Sequence, residues 1–181
     1  MLSSNKHKVE EAMEVLGRYG IRLKWRKYEK LEIQSYDTAE IAKVAGLAAY
    51  DDIGVPLILE DSGIFINALN GFPGPYAAQV HSYIGHEGVL KLMAGIKDRS
   101  AYFKTVVCYA YGKGKARLFE GTVNGTITTR VHGGRGFGYD PIFIPMGHSR
   151  TFSELSIEEK NTMSHRSMAL RKFAEHITGS R

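Results

Sequence analysis

The sequence predicts one domain of the mixed α/β or α+β class, with helices flanking a mixed β-sheet. Three observations predict it. Amphipathic helical patterns lie near both ends of the chain, short apolar runs bounded by glycine lie between them, and no repeat or linker divides the chain. A chain of 181 residues can bury a core of its own. We therefore expect residues 1–181 to form a single domain.

Helices are predicted where apolar residues recur at helical spacing. The predicted spans are 6–19, 38–50, about 86–95, and the segment that follows Ser164. Ser4 or Asn5 can cap the first helix, Thr38 and Ser164 can cap two others, and Ser156 with Glu159 matches a capping box. The predicted inward faces are Val9, Ala12, Met13, Leu16 and Tyr19 in the first helix and Met168, Ala169, Phe173 and Ile177 in the last.

Strands are predicted for runs at 21–25, 55–60, 101–111, 116–131 and 142–145. A turn is predicted at Asp61-Ser62-Gly63, which would place Glu60 and Asp61 at the carboxyl end of a buried strand. Open α/β sheets bind their ligands at such strand ends. Gly112-Lys113-Gly114 and Asn124-Gly125 are predicted to form hairpin turns.

Composition and charge limit the kinds of partner. The chain carries 24 Lys and Arg against 19 Asp and Glu, a net charge of +5 that suits an anionic ligand. These basic residues are dispersed, which favours a polyphosphate over a nucleic acid. No apolar run is long enough to cross a membrane and no apolar leader is present, so we expect a cytoplasmic protein that binds no membrane. Cys108 lies in an apolar run and is predicted to be a buried small hydrophobe.

Two adjacent carboxylates, Glu60 and Asp61, suggest metal chemistry. Buried carboxylates are costly unless they bind a cation or pair with basic side chains. Mg²⁺ prefers carboxylate oxygens and bridges substrate phosphates, and one carboxylate could orient or deprotonate an attacking water. An ordinary strand-terminal turn is the alternative. Glu32, taken alone, is typical of a solvated charge.

A second group of residues has the chemistry of a nucleotide site. Asn5 and Lys8 begin the first helix, where backbone N–H groups and the helix dipole favour an anion; plain capping with a solvated lysine is the alternative. Phe137 and Tyr139 beside Asp140 can stack a flat ring and read one of its edges, although two core aromatics in a glycine-rich turn would look the same.

Basic side chains border the last helix. Lys160 and Arg166 can meet phosphates or a ring carbonyl, and the guanidinium of Arg166 does so in a planar fork. His165 has no second His or Cys at ligand spacing, so it is not predicted to bind a metal.

The motifs, taken in order, resemble the inosine/xanthosine triphosphate pyrophosphatase family nearly from end to end, and look most similar to its archaeal members. The resemblance rests on Ser3-x-Asn5-x-x-Lys8, Glu32-Ile-Gln, Glu60-Asp-Ser-Gly63, residues 67–74, Gly136-Phe-Gly-Tyr-Asp-Pro141, Thr151-Phe-Ser-Glu-Leu, Glu159-Lys-Asn161 and Ser164-His-Arg166. It implies hydrolysis of ITP, dITP and XTP to the monophosphate and pyrophosphate with Mg²⁺. It also implies an elongated mixed sheet with two lobes around a nucleotide cleft, and a homodimer.

The resemblance implies roles for individual residues. Glu32 and Asp61 would hold Mg²⁺, and Asp61 would also orient the water. Asp140 would accept the purine N1–H, while His165 and Arg166 would address the 6-oxo edge. The residues implied to contact or border the substrate are Ser3, Asn5, Lys8, Ser62, Gly63, Phe137, Gly138, Tyr139, Asp140, Lys160, His165 and Arg166.

The chain departs from the family pattern at two places. Many members carry a phosphate-binding lysine in the second helix; here that position falls near Leu47, with Lys43 one turn earlier. Members also begin with an apolar strand of about five residues, whereas only Met1 and Leu2 precede Ser3. We therefore expect reduced stability and a poorly anchored loop at residues 3–8.

Two other functions stay open on the residues alone. A Maf-like pyrophosphatase would keep the chemistry and act on pyrimidine or modified nucleotides. A nucleotide- or RNA-binding module would use the aromatic and arginine side chains without turnover. The Glu60-Asp61 pair argues against the binding module, because carboxylates at a phosphate site help only with a metal.

Overall fold

An antiparallel sheet organises the computed structural model, which describes residues 1–134 and 136–179. The strands are β1 (Leu57–Ile66), β2 (Pro73–Gly74), β3 (Ser100–Gly112), β4 (Lys115–Ile127) and β5 (Phe143–Pro145). They pair in the order β2-β1-β3-β4-β5, antiparallel throughout. The mixed α/β class is confirmed. The sheet itself is less mixed than expected, because parallel pairing within the described ranges is limited to an isolated bridge between Leu2 and Arg26.

Five helices flank this sheet in the described part of the chain. They are α1 (Lys6–Gly17), α2 (Thr38–Ile53), α3 (Ala77–Leu92), α4 (Ile157–Met163) and α5 (His165–Thr178). The caps at Asn5 and Ser164 and the Ser156–Glu159 capping box are confirmed. Asp37, rather than Thr38, caps α2. None of these helices combines the length and the apolar character that a membrane crossing requires.

The two faces of the sheet are covered differently. Helix α2 packs against Leu59, Val106 and Cys108 on one face. On the other face, α1 and α5 cover Ile58 and Val107. Further along that same face, a second apolar cluster forms around Ile64, Phe103, Phe143 and Phe152. Because side chains alternate along a strand, Glu60 and Ser62 lie on this second face, between the two clusters. A polar band therefore separates two apolar halves.

Two glycines that were interpreted as turn signals instead allow close approach between strands. β1 continues through the predicted turn at 61–63, and a Cβ on Gly63 would lie 2.4 Å from the carbonyl oxygen of Gly74 in β2. Asn124 and Gly125 lie inside β4, and a Cβ on Gly125 would lie 2.2 Å from the carbonyl oxygen of Ile144 in β5. Both turn predictions were wrong, because glycine within a strand also marks a tight neighbour. The 112–114 turn is confirmed.

The predicted strand at 21–25 is not formed. Ile21 and Leu23 do point inward against the cluster under α1 and α5, as the alternation indicates. Within the described residues the segment nevertheless pairs with no strand. Its backbone instead meets the start of the chain, where the Met1 amino group donates to the Lys24 carbonyl at 2.6 Å and Leu2 forms an isolated parallel bridge with Arg26. Alternation predicts which side is buried but not whether a partner strand is present.

Helix boundaries and faces also differ in places. α3 begins at Ala77, well before residue 86, and Gly85 interrupts it. Met13 and Ile177 were predicted to face inward but are 41% and 44% exposed. Glu11 in α1 is buried instead, as are Leu170 and Ala174 in α5.

The start of the chain is firmly held, contrary to the expected poorly anchored loop. The Leu2 amide donates to the Ile58 carbonyl at 2.9 Å, and the Arg26 amide donates to the Met1 carbonyl at 3.1 Å. The Trp25 indole donates to the Ser3 carbonyl at 3.0 Å. Two residues are therefore enough to continue the sheet edge beside β1.

Gly121 in β4 lies where α5 approaches the sheet too closely to leave room for a side chain. A Cβ there would lie 2.0 Å from the His165 carbonyl oxygen and 2.7 Å from the Ala169 nitrogen, both backbone atoms that cannot rotate away. We expect Gly121→Ala to lower the free energy of unfolding by about 2 kcal/mol or more, which lowers Tm by about 4–8 °C. Gly17→Ala is the matched control, because its Cβ meets no atom within 4 Å. A Gly121→Ala protein as stable as the control would contradict this packing.

Candidate functional site

A cavity of about 250 Å³ opens on the polar band and gathers most of the predicted site residues. Helix α3 and strand β3 complete its wall with Ala77, His81 and Phe103. The predicted residues that line it are Asn5, Lys8, Ser62, Gly63, Phe137, Gly138, Tyr139, Asp140, Lys160, His165 and Arg166.

An adjoining cavity of about 180 Å³ holds the predicted acidic residues. Ser3, Glu32 and Asp61 line it, together with Lys30 and Glu60. The two cavities share Asn5, Lys8, Ser62 and Ala78 in their walls. Every site residue predicted from the sequence therefore lines one of these two neighbouring cavities. Lys43 is exposed on α2 and lines neither of them.

Six buried or mostly buried charges from β1, α1, α4, α5 and the turn at Asp140 alternate in sign. The order of the side chains is Asp140, Lys160, Glu11, Arg166, Glu60 and Lys8. Lys160 Nζ lies 2.6 Å from Asp140 and 2.7 Å from Glu11. Arg166 contacts Glu11 through Nη1, and its Nε donates to both oxygens of Glu60 at 2.9 and 3.0 Å. Lys8 Nζ lies 3.3 Å from Glu60. We call this set the charge chain.

The charge chain shifts the pKa values of its members in opposite directions. Burial alone would raise the pKa of Glu60, but Arg166 and Lys8 hold it below its usual value. Glu11 is likewise buried, and Arg166 and Lys160 lower its pKa. For Asp140, burial outweighs the attraction of Lys160, and the pKa is raised. A buried charge is tolerated when paired, whereas removal of one partner is costly.

Most of the Arg166 side chain's contacts are hydrogen bonds and ion pairs with other residues of the protein. Its Nε and Nη1 atoms bind Glu60 and Glu11, and its Nη2 atom is 3.5 Å from the Ser62 hydroxyl. The guanidinium is 1% exposed. The donors on Nη2 make only this long contact among the described residues, so a ligand in the cavity could use them.

Asp61 and Glu32 share a lysine. Lys30 Nζ forms an ion pair with Asp61 Oδ1 and lies 3.2 Å from Glu32 Oε1. Asp61 Oδ2 is buried and has no hydrogen-bond partner among the described residues, and burial raises the pKa of this carboxyl despite Lys30. An unpaired buried carboxylate oxygen beside a second carboxylate suits a divalent cation such as Mg²⁺.

The Glu60 side chain points to the opposite face of β1 from the Asp61 side chain. The prediction placed Glu60 and Asp61 together at a strand end, but both lie within β1. Adjacent residues of a strand point to opposite faces. Glu60 therefore joins the charge chain on one face, and Asp61 meets Lys30 on the other.

The start of α1 is occupied by its own cap. Asn5 Oδ1 accepts from the His7 and Lys8 amides at 3.0 and 3.4 Å, and Ser3 Oγ accepts from the Asn5 amide at 3.0 Å. This is the plain capping that the sequence also allowed. It points the first turn of the helix, with Lys8, at both cavities.

Several rings line the cavity of about 250 Å³, among them Phe137, Tyr139 and His165. The Phe137 ring is half-buried, with Lys160 Nζ 4.8 Å from its centroid. Tyr139 is buried, its hydroxyl donates to the Ala77 carbonyl at 3.1 Å, and burial raises its pKa. His165 stacks on Phe103 with ring centroids 4.5 Å apart. Phe137 is thus the half-buried ring at the cavity, and the His7 ring already stacks on it with centroids 5.5 Å apart, whereas Tyr139 is held in the core.

Several residues of the site were missed from the sequence. Glu11 could have been found, because it is a charged residue at the inward spacing of Lys8, Ala12 and Val15 in α1. Lys30 gave no local signal. His81 and His86 lie on a helix whose start was placed too late. Cys108, by contrast, is buried as predicted, and burial raises the pKa of its thiol to about 11.

Comparison with known proteins agrees with this geometry. The profile of the Ham1 family matches residues 1–176. The chain belongs to the Ham1 family. Its sequence is 48% identical over 177 residues to the dITP/XTP pyrophosphatase of Saccharolobus solfataricus, which covers 98% of this chain and 92% of that protein. It is 47% identical over 173 residues to the dITP/XTP pyrophosphatase of Methanopyrus kandleri, covering 96% and 92%.

Solved Ham1 proteins share the fold. The Coxiella burnetii HAM1 protein superposes with a TM-score of 0.84 at 29% identity, covering 99% of this chain and 98% of that one. The Staphylococcus aureus Ham1 protein superposes with a TM-score of 0.81 at 26% identity, again covering 99% and 98%. The predicted resemblance and the mixed α/β fold are thereby confirmed.

His165 should make the stability of the protein depend on pH near neutrality. Burial, and then the nearby cations Arg166, Lys160 and Lys8, lower its pKa well below the usual value, and its Nδ1 has no partner in the part of the chain that the structure describes. As pH falls through about 6.5, the unfolded chain takes up a proton here that the folded chain does not. The free energy of unfolding should therefore fall, by up to about 1.4 kcal/mol per pH unit from this group.

Urea denaturation of wild type and His165→Gln between pH 7.5 and 5.5 checks this expectation. The variant should lose this part of the slope, whereas His148→Gln, at an exposed position, should keep it. Equal slopes for all three proteins would contradict a neutral buried His165.

Proposed function

We propose that this protein hydrolyses deaminated purine nucleoside triphosphates, namely ITP, dITP and XTP, to the monophosphate and pyrophosphate. The observation that carries the proposal is the pair of adjoining cavities. One offers an aromatic ring, a carboxylate and buried cations; the other offers Asp61 with an unpaired oxygen; and Lys8, Asn5 and Ser62 line both. A base in the first and a triphosphate reaching the second would use every predicted residue. The names of the archaeal relatives support the same reaction.

The base would be selected by the pattern of its hydrogen-bonding edge. Hypoxanthine and xanthine present an N1–H donor and an O6 acceptor, whereas adenine presents the reverse. With Phe137 stacked on the ring, the Asp140 carboxylate would accept N1–H, and Arg166 Nη2 and His165 would serve the 6-oxo edge. Adenine would leave these buried groups unpaired, which discriminates by orders of magnitude where size alone does not.

Hydrolysis would take place beside Asp61. Glu32 and Asp61 would hold Mg²⁺, which when bound supplies positive charge for the phosphates and the leaving pyrophosphate. Asp61, which has one oxygen paired with Lys30 and the other without a partner among the described residues, would also orient the attacking water. Lys8, at the N-terminal turn of α1, would bind phosphate oxygens. We further propose that the chain acts as one domain, in the cytoplasm and as a homodimer, without binding nucleic acid or membrane.

The deciding experiment measures pyrophosphate release from ITP, XTP, GTP and ATP, and from the pyrimidine nucleotides CTP and UTP, with and without Mg²⁺. We expect Mg²⁺-dependent turnover that strongly favours ITP and XTP, and a kcat for ITP about 10²-fold lower in Asp61→Asn. Turnover restricted to pyrimidine or modified nucleotides would instead identify a Maf-like specificity. Binding of ITP without any release of pyrophosphate would identify a binding module.

Lys30 should compete with the metal. Its ammonium lies between Asp61 and Glu32, the two proposed Mg²⁺ ligands, so a divalent ion must displace it or share the carboxylates. We expect Lys30→Met to bind Mg²⁺ about three- to tenfold more tightly, as for loss of one partly exposed ion pair. Isothermal titration of Mg²⁺ into the protein without nucleotide measures this directly.

Lys30→Arg is the matched control, because it keeps the positive charge and should bind Mg²⁺ as wild type does. Weaker Mg²⁺ binding by Lys30→Met would show that Lys30 helps to form the metal site rather than competing for it.

A further inference from the structure

Two histidines of α3 meet outside the residues that the proposed function uses. His81 Nε2 and His86 Nε2 are 3.1 Å apart, and His86 Nε2 also lies within hydrogen-bonding distance of the Gly138 carbonyl oxygen. Both rings pack edge-on against Tyr139, with centroids 5.6 and 6.4 Å from it. His81 also lines the larger cavity.

A break in the helix makes this contact possible. Residues five apart on a regular α-helix are rotated by about 140° and point to different sides. Gly85, between the two histidines, has φ 59° and ψ −167°, a conformation open essentially to glycine alone. A Cβ there would meet no atom within 4 Å, so the glycine serves the backbone conformation and not close packing. The break turns the His86 ring back towards His81.

The contacts fix the protons on both rings. A carbonyl only accepts, so His86 must carry hydrogen on Nε2 and donate it to Gly138. Two N–H groups cannot face each other at 3.1 Å, so His81 must present the Nε2 lone pair and carry its hydrogen on Nδ1. The pKa of His81 is lowered by burial and by His86, which agrees with a neutral ring.

Gly138 lies in the turn of residues 136–140, which we call the base-recognition turn. On one side the turn is closed by Asp140, whose Oδ2 accepts from the Phe137 amide at 3.1 Å. On the other side it is tied to α3 twice, through the Tyr139 hydroxyl on the Ala77 carbonyl and through His86 on the Gly138 carbonyl. The His86 contact holds Gly138, which lies between Phe137 and Asp140 in the chain.

We propose that His81 and His86 are positioning residues that hold the base-recognition turn in its binding conformation through the Gly138 carbonyl. Neither histidine lines the cavity of Glu32 and Asp61, so the pair acts on base binding and not on the chemical step. This inference rests on the proposed function for its kinetic test, but the proton positions can be tested without it.

The kinetic test compares His86→Leu with His86→Gln. The glutamine amide nitrogen lies about as far from Cβ as Nε2 does and can still donate to the carbonyl; leucine cannot. For His86→Leu we expect the KM for ITP to rise about five- to tenfold, the usual worth of one hydrogen bond, with little change in kcat. His86→Gln should keep a near-wild-type KM. An unchanged KM in His86→Leu, an equal rise in both variants, or a fall in kcat instead of a rise in KM would overturn the proposal.

The structural test uses the wild-type protein, so it survives any variant that fails to fold. Long-range ¹H–¹⁵N correlation spectra of the histidine rings report which nitrogen is protonated. We expect hydrogen on Nε2 of His86 and on Nδ1 of His81. Any other pair of tautomers would overturn the proposal. Absence of ITP turnover in the wild type, combined with these tautomers, would count against the proposed function and leave the His81–His86 contact standing.

Discussion

The guanidinium of Arg166 joins three elements that are far apart in the sequence. It comes from the first turn of α5, and its partners are Glu11 of α1 and Glu60 of β1. Removal of one member of such a buried pair costs about 3–5 kcal/mol, because the remaining charge stays buried and unpaired. Arg166 therefore helps to fix the position of α1 relative to the sheet, and with it the position of Lys8 at the site, together with the apolar face of α1.

The same constraint explains where the cavity lies. One face of the sheet carries two apolar clusters, and the charge chain fills the band between them. The charges of this band are tolerated there because each is paired with a neighbour of opposite sign. Gly121 lets α5 lie almost on the backbone of β4, which brings Arg166 and His165 to the band. The two apolar clusters pack on either side of the charge chain. The site between them is therefore polar, and its charged side chains are held in place by their partners.

The sequence predicted the residue types of the site better than their arrangement. Asp61, Asp140 and Arg166 stand out as motifs because such side chains are rarely placed near apolar runs without a purpose. Their partners are contributed by distant segments: Lys30 meets Asp61 across 31 positions of the chain, and His86 meets Gly138 across 52. Local patterns carry no information on such contacts. The two wrong turn predictions have a related cause. Glycine is needed at Gly63 and Gly125 because a neighbouring strand lies close, and not because the backbone turns there.

The pairing of charges bears on how a triphosphate could bind. Lys8, Lys160, Arg166 and Lys30 are all cations of the site, yet each already contacts a carboxylate. A polyanion entering such a site must exchange partners with these carboxylates rather than meet free positive charge. A divalent cation on Glu32 and Asp61 would change this balance, since it would neutralise both carboxylates and release the ammonium of Lys30 towards the phosphates. The metal of the proposed reaction would then contribute to substrate binding as well as to chemistry, and the lysine that competes with it would become part of the phosphate site.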